Sequence, residues 1–104
     1  MSTFNEREDT FEKKFAHDDD MQFKASARRN KLLGLWAAEL MGKTGDEAKS
    51  YAAEVVKSDL EEVGDEDVFR KVYGDLNGRV DDVTLRTKMV ELMAVAKAQV
   101  FDEV

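Results

Sequence analysis

Phe23-Lys24-Ala25-Ser26-Ala27-Arg28-Arg29-Asn30-Lys31-Leu32-Leu33-Gly34-Leu35-Trp36-Ala37-Ala38 decides how this chain folds. Four cations with no acid between them run into a segment that is almost wholly apolar. A helix lying on a surface keeps one polar face, whereas Leu32, Leu33, Leu35, Trp36, Ala37, Leu40 and Met41 leave little room for one. The stretch therefore predicts a central helix from about Asp20 to Met41, buried on several sides, with Trp36 set among leucines. Its indole N–H then needs a partner.

Working outward, glycine-bearing breaks at Gly42 to Gly45, Gly64-Asp65 and Gly74 to Asp82 divide the rest into three more helices. Thr44-Gly45-Asp46-Glu47 has the spacing of a capping box, in which the Thr44 hydroxyl and the Glu47 carboxylate each satisfy the other residue's backbone amide. Ala48, Tyr51, Ala52, Val55, Val56 and Leu60 follow at steps of three and four, up to Gly64. Asp65 is placed to cap a third helix with inner face Val68, Phe69, Val72, Tyr73 and Leu76. Asp81 or Asp82 caps the fourth, with a stripe of Leu85, Met89, Leu92, Met93, Ala96 and Val100. Short connections make neighbouring helices antiparallel. The fold class is all-α: a four-helix bundle over residues 20–104, preceded by an amino-terminal arm over residues 1–19.

Composition agrees. The 104 residues contain no proline and no cysteine, so helices are uninterrupted and neither disulfides nor thiolate chemistry is available. No apolar run approaches the roughly 20 residues of a membrane span, and the start lacks a signal-peptide layout; a cytoplasmic protein is expected. The net charge of −7 is uneven: residues 1–31 hold seven cations and seven acids, so all of it belongs to residues 32–104. An acidic body repels phosphate backbones and anionic lipid, which disfavours nucleic acid and membrane insertion. A protein or small-molecule partner fits better, and the absence of an apolar seam points to a monomer.

The arm is polar, with Phe4, Phe11 and Phe15 at helical spacing and Ser2 or Thr3 as a cap. A lone helix of this length is marginal in water, so the arm is expected to be weakly helical or partly disordered when free. The four-helix reading does not require these phenylalanines. They pack back on the bundle or dock on a partner, and the residues alone leave both open.

Catalysis has thin support, since His17 is the single histidine and lies in the arm. Beside Asp18, Asp19 and Asp20 it does not form a metal site, because consecutive helical residues point about 100° apart. A surface histidine is the simpler reading. Asp65-Glu66-Asp67 and Asp75-Leu76-Asn77-Gly78 fail the calcium-loop pattern and read as a cap and a turn. Lys24, Arg28 and Lys31 share a helix face with Arg29 alongside, which makes this the best candidate anion site, set against the plainer reading of a solvated face that balances nearby acids.

Phe11-Glu12-Lys13-Lys14-Phe15-Ala16-His17-Asp18, then Phe23-Lys24 and Ala27 to Ala38, then Gly64-Asp65-Glu66-Asp67-Val68-Phe69-Arg70-Lys71-Val72, closely resemble the zeta subunit family, the small ATPase-inhibitor proteins of alphaproteobacterial F-type ATP synthases. The resemblance covers nearly the full chain. It implies a noncatalytic inhibitor of ATP hydrolysis that inserts its amino-terminal segment at an alpha/beta interface of the catalytic head and blocks rotation against gamma. On that reading Phe4, Arg7, Phe11, Lys14, Phe15 and His17 contact the partner. It also implies an ADP or ATP ligand, no required cofactor, and Lys24, Arg28, Arg29 and Lys31 as the nucleotide-binding candidates. The alternative is an adenine-nucleotide-binding regulatory module with another protein target.

Overall fold

The computed structural model describes residues 19–59 and 65–103. Among them are four α-helices and no strand: α1 Asp19–Leu40, α2 Gly45–Ser58, α3 Glu66–Leu76 and α4 Asp82–Asp102. The expected bundle is observed. Phe4, Arg7, Phe11, Lys14, Phe15 and His17, as well as Leu60 and Gly64, lie outside the described residues.

α1 is the spine, packing against α2 and α4 along its length and also against α3. One constraint governs the α1–α2 contact. A Cβ added to Gly34 would lie 2.6 Å from the Ala52 Cα, so the two helix backbones approach as closely as they do only because Gly34 has no side chain. Around this contact Leu33, Ala37, Ala38, Tyr51, Val55, Val68, Val72, Leu76, Leu85 and Met89 form the main core. A second cluster, Met21, Ala25 and Val100 with Met93 and Phe101 against it, closes the end where α1 begins and α4 finishes. At the other end the Lys88 ammonium lies 5.6 Å from the centre of the Trp36 ring. α1 and α4 are therefore antiparallel.

Burial of α1 is more selective than its composition suggests. Leu33, Ala37 and Ala38 are fully buried, but Leu32, Leu35 and Trp36 are only partly covered and Leu40 is exposed. Trp36 thus flanks the core, while Gly34, Ala37 and Ala38 supply small residues beside the larger Leu33 on the buried side.

α1 ends in a Schellman turn: Gly42 takes φ 76°, with Lys43 N–H donating to Ala38 O at 2.9 Å and Gly42 N–H to Glu39 O at 3.1 Å. Thr44 occupies the N-cap of α2, but the capping box does not form. Its side chain makes no cap hydrogen bond, and the Glu47 amide is satisfied instead by the Thr44 carbonyl oxygen at 3.2 Å. Asp65 stands at the N-cap of α3, also without a side-chain cap bond; its carboxylate has a charged partner described below. Asp81 caps α4 as expected, its Oδ1 accepting from Thr84 N–H at 2.8 Å.

The inner face of α3 is Val68, Val72 and Leu76, all fully buried, while Phe69 is partly covered and Tyr73 is exposed. Tyr73 stacks on Phe69 at 5.3 Å between ring centres rather than entering the core. α3 is held to α2 by Tyr51, whose hydroxyl donates to Asp75 Oδ2 at 2.9 Å. Burial, reinforced by that carboxylate acceptor, pushes the Tyr51 hydroxyl well above its ordinary pKa, so it stays protonated.

Two glycines inside helices give opposite expectations. Gly34→Ala forces α1 and α2 apart and should lower the unfolding free energy by about 1–3 kcal/mol, the cost of overpacking. Gly74→Ala, with nothing within 4 Å of the added methyl, should raise it by up to about 1 kcal/mol through helix propensity. Urea unfolding of both variants measures the contrast.

Candidate functional site

The basic residues of α1 project from consecutive turns of one helix, yet their side chains do not converge. Lys24 pairs with Asp20 at 3.1 Å, one turn back on its own helix. Arg28 reaches across to the last turn of α4, donating to Gln99 Oε1 at 2.9 Å and to Glu103 Oε1 at 2.7 Å. Lys31 is exposed and has no ion pair among the described residues.

Arg29 behaves differently from the others. It is 1% exposed and sits inside the bundle, with Nε donating to Asn30 Oδ1 at 2.6 Å and Nη2 to Asp65 Oδ1 at 2.8 Å. Asn30 is itself fully buried. A guanidinium withdrawn from water must be paired, and the partner it finds is the residue that opens α3. This is why Asp65 does not cap its own helix: the charged donor outcompetes a backbone amide. The pair ties the start of α3 to the middle of α1.

The face proposed for an anion is therefore divided by structure. Lys24 and Lys31 point to solvent, Arg28 is a strut between α1 and α4, and Arg29 is an internal brace. A phosphate at this face meets two solvated ammonium groups. To gain either guanidinium it would have to displace Glu103 or Asp65.

A second charged cluster was not singled out by sequence reasoning. Arg86 on α4 makes a two-point contact with Glu66 on α3, at 3.0 and 3.3 Å, while its guanidinium carbon lies 3.9 Å from the centre of the Phe69 ring. Phe69 in turn stacks on the exposed Tyr73. The hydrogen bond from Arg86 and then its positive charge hold the Glu66 carboxyl below its ordinary value of 4.5. Hydrogen bonds from Thr84 likewise hold Asp81 below 3.8. The sequence reads Asp65-Glu66-Asp67 only as a cap; the partner from α4, 20 residues away, leaves no local signal there. Among the described residues no group of three His, Asp or Glu side chains is arranged to hold a metal. No helix among the described residues is long and apolar enough to cross a membrane.

The sequence pattern of the family described as ATPase inhibitor subunit zeta matches residues 1–99. The chain belongs to the ATPase inhibitor subunit zeta family. Its match begins at the first residue, so the arm with Phe4, Phe11 and Phe15 lies inside the family's pattern together with the α1 stretch. A protein solved by solution NMR is 65% identical to this chain, covering 81% of it and 99% of the solved chain, with a TM-score of 0.75. No curated protein matches. Membership in this zeta family makes the chain an inhibitor subunit by kinship.

Two expectations test these assignments. Asp65→Ala strands the buried Arg29 charge and should cost about 3 kcal/mol of stability, the low end for a broken buried pair, whereas Arg28→Ala should cost about 1 kcal/mol or less; urea unfolding at neutral pH distinguishes them. The depressed Glu66 and Asp81 carboxyls contribute stability that is present above their unfolded pKa values and lost on acidification through the folded ones. Stability should fall as pH drops from about 5 to about 3, and less steeply in Asp81→Ala.

Proposed function

We propose that this chain inhibits ATP hydrolysis by the F-type ATP synthase without catalysing a reaction itself, and that residues 1–19 are the inhibitory element. The family match over residues 1–99 carries the reading. The arm brings aromatic anchors, Phe4, Phe11 and Phe15, and charges of both signs at Arg7, Lys14 and the intervening acids. This is the composition of an interface in which a few buried aromatics supply affinity and charge pairs set register. Inserted at an alpha/beta interface of the catalytic head, such a segment opposes rotation of gamma in the hydrolytic direction. The bundle, too wide to follow the arm in, stays outside on the cytoplasmic side.

The structure supports this division of labour in one respect. α1 starts at Asp19, at the end of the bundle closed by Met21, Ala25 and Val100. Asp19, to which the arm is joined, therefore lies at one end of the bundle. The inhibitory reading requires no nucleotide, and an adenine nucleotide at Lys24 to Lys31 would compete with the internal acids that already hold Arg28 and Arg29.

Removing residues 1–18 tests the assignment. The truncated protein should keep its helical circular dichroism and lose inhibition of ATP hydrolysis by the isolated cognate head, while the full chain inhibits. Equal inhibition by a truncated, folded protein would overturn the role of the arm.

A further inference from the structure

α4 is apolar on two opposite sides, with charged residues such as Arg86 and Glu91 between them, but it buries only one of the two. Leu85, Met89, Ala96 and Val100 enter the core. On the opposite side Val83 is 67% exposed, Val90 73% and Val95 44%, and Thr87, Ala94 and Ala98 are exposed with them. At about 100° per residue, Val83, Thr87, Val90, Ala94 and Ala98 form one uncharged outward stripe. Its length, fifteen steps of about 1.5 Å, is roughly 22 Å. An exposed apolar strip on an otherwise strongly charged small protein calls for an occupant.

We infer that this stripe is the docking surface for the chain's own amino-terminal segment. Three observations support this occupant. The first is position: α1 starts beside the carboxyl-terminal end of α4, where Met21 packs in a cluster with Val100 and Phe101. The chain preceding Asp19 therefore starts at one end of the stripe. Residues 12–18 suffice as a connector, spanning up to about 25 Å when extended.

The second is spacing. Phe4 and Phe11 are seven residues apart, as are Val83 and Val90. Helical segments sharing this step present their anchors at matching heights along parallel axes. A segment attached at the carboxyl-terminal end of α4 and laid back along it runs parallel to α4, which is the direction this match needs.

The third is charge. Facing parallel helices bring the leading edge of one against the trailing edge of the other. Arg86 lies on the trailing edge of the α4 stripe and Glu91 on its leading edge. On a helical arm centred on Phe4 and Phe11, Glu8 falls on the leading edge and Arg7 on the trailing edge. Glu8 then lies on the flank of Arg86, which also holds Glu66, and Arg7 on the flank of Glu91. The arrangement opposes unlike charges on both flanks.

The docked arm covers Phe4 and Phe11, so a folded-back chain and a chain that presents these two side chains to a target are mutually exclusive states of one molecule. The docking itself does not depend on what that target is. The chain has no cysteine, so Thr10→Cys carries a single nitroxide on the side of the arm away from the stripe. In the full-length protein, the methyl resonances of Val83 and Val90 should lose most of their intensity, while that of Ala53, exposed on α2, should keep its own. Val90→Asp, at an exposed position that leaves the core intact, should restore the Val83 signal. Equal broadening on both faces, or none, would overturn the inference. So would broadening carried between a nitroxide-labelled copy and a separate isotope-labelled copy, because the occupant would then be a second molecule.

Discussion

The approach of Gly34 to Ala52 is the contact on which the rest of the bundle depends. It sets the distance between α1 and α2, and Ala37 and Ala38 lie buried with Leu33 in the core around it. The larger apolar residues of α1 are pushed to its flanks, where Trp36 meets Lys88 of α4. α3 closes over the remaining gap with Val68, Val72 and Leu76. Packing at this density leaves no slack, so a single methyl at position 34 is felt by both helices.

Charge then locks the arrangement, with unequal weight. Surface pairs such as Lys24 with Asp20 contribute little, because water screens them and long side chains lose freedom in making them. The Arg29 to Asp65 pair is another case, since the guanidinium has been removed from water and, among the described residues, Asp65 is its one partner of opposite charge. It joins the middle of the spine to the start of α3 across a sequence separation of 36 residues. Arg28 does the same at the far end of α4, and Arg86 clasps α3 to α4. Of the run of basic residues on α1, Arg28 and Arg29 thus hold helices together, while Lys24 and Lys31 stay on the solvent side.

Much of the fold was legible in the sequence because the information is local. Breaks at Gly42 and Gly78 and the cap at Asp81 mark helix ends, and the steps of three and four in Val68, Val72, Leu76 and in Leu85, Met89, Ala96, Val100 give inner faces. What was not legible depends on partners distant in sequence. Thr44 and Asp65 have the spacing of caps, but whether a side chain caps depends on what else competes for it, and Arg29 arrives from another helix. Tyr73 fits the inner stripe of α3, yet Phe69 and Arg86 supply an outer surface to stack against. The candidate site was the least legible part, since nothing in the steps of four and three separates a guanidinium pointing outward from one pointing in. The zeta-family motifs, by contrast, were plain in the sequence before any coordinates.

The central claim is that the arm contacts the target and the bundle serves as its holder. A photoreactive phenylalanine analogue placed at position 11, compared with one at position 49 on the exposed side of α2, tests this in the complex with the cognate catalytic head during ATP hydrolysis. The account predicts adducts to alpha or beta subunits from position 11 and none from position 49. Adducts from position 49 alone would contradict it.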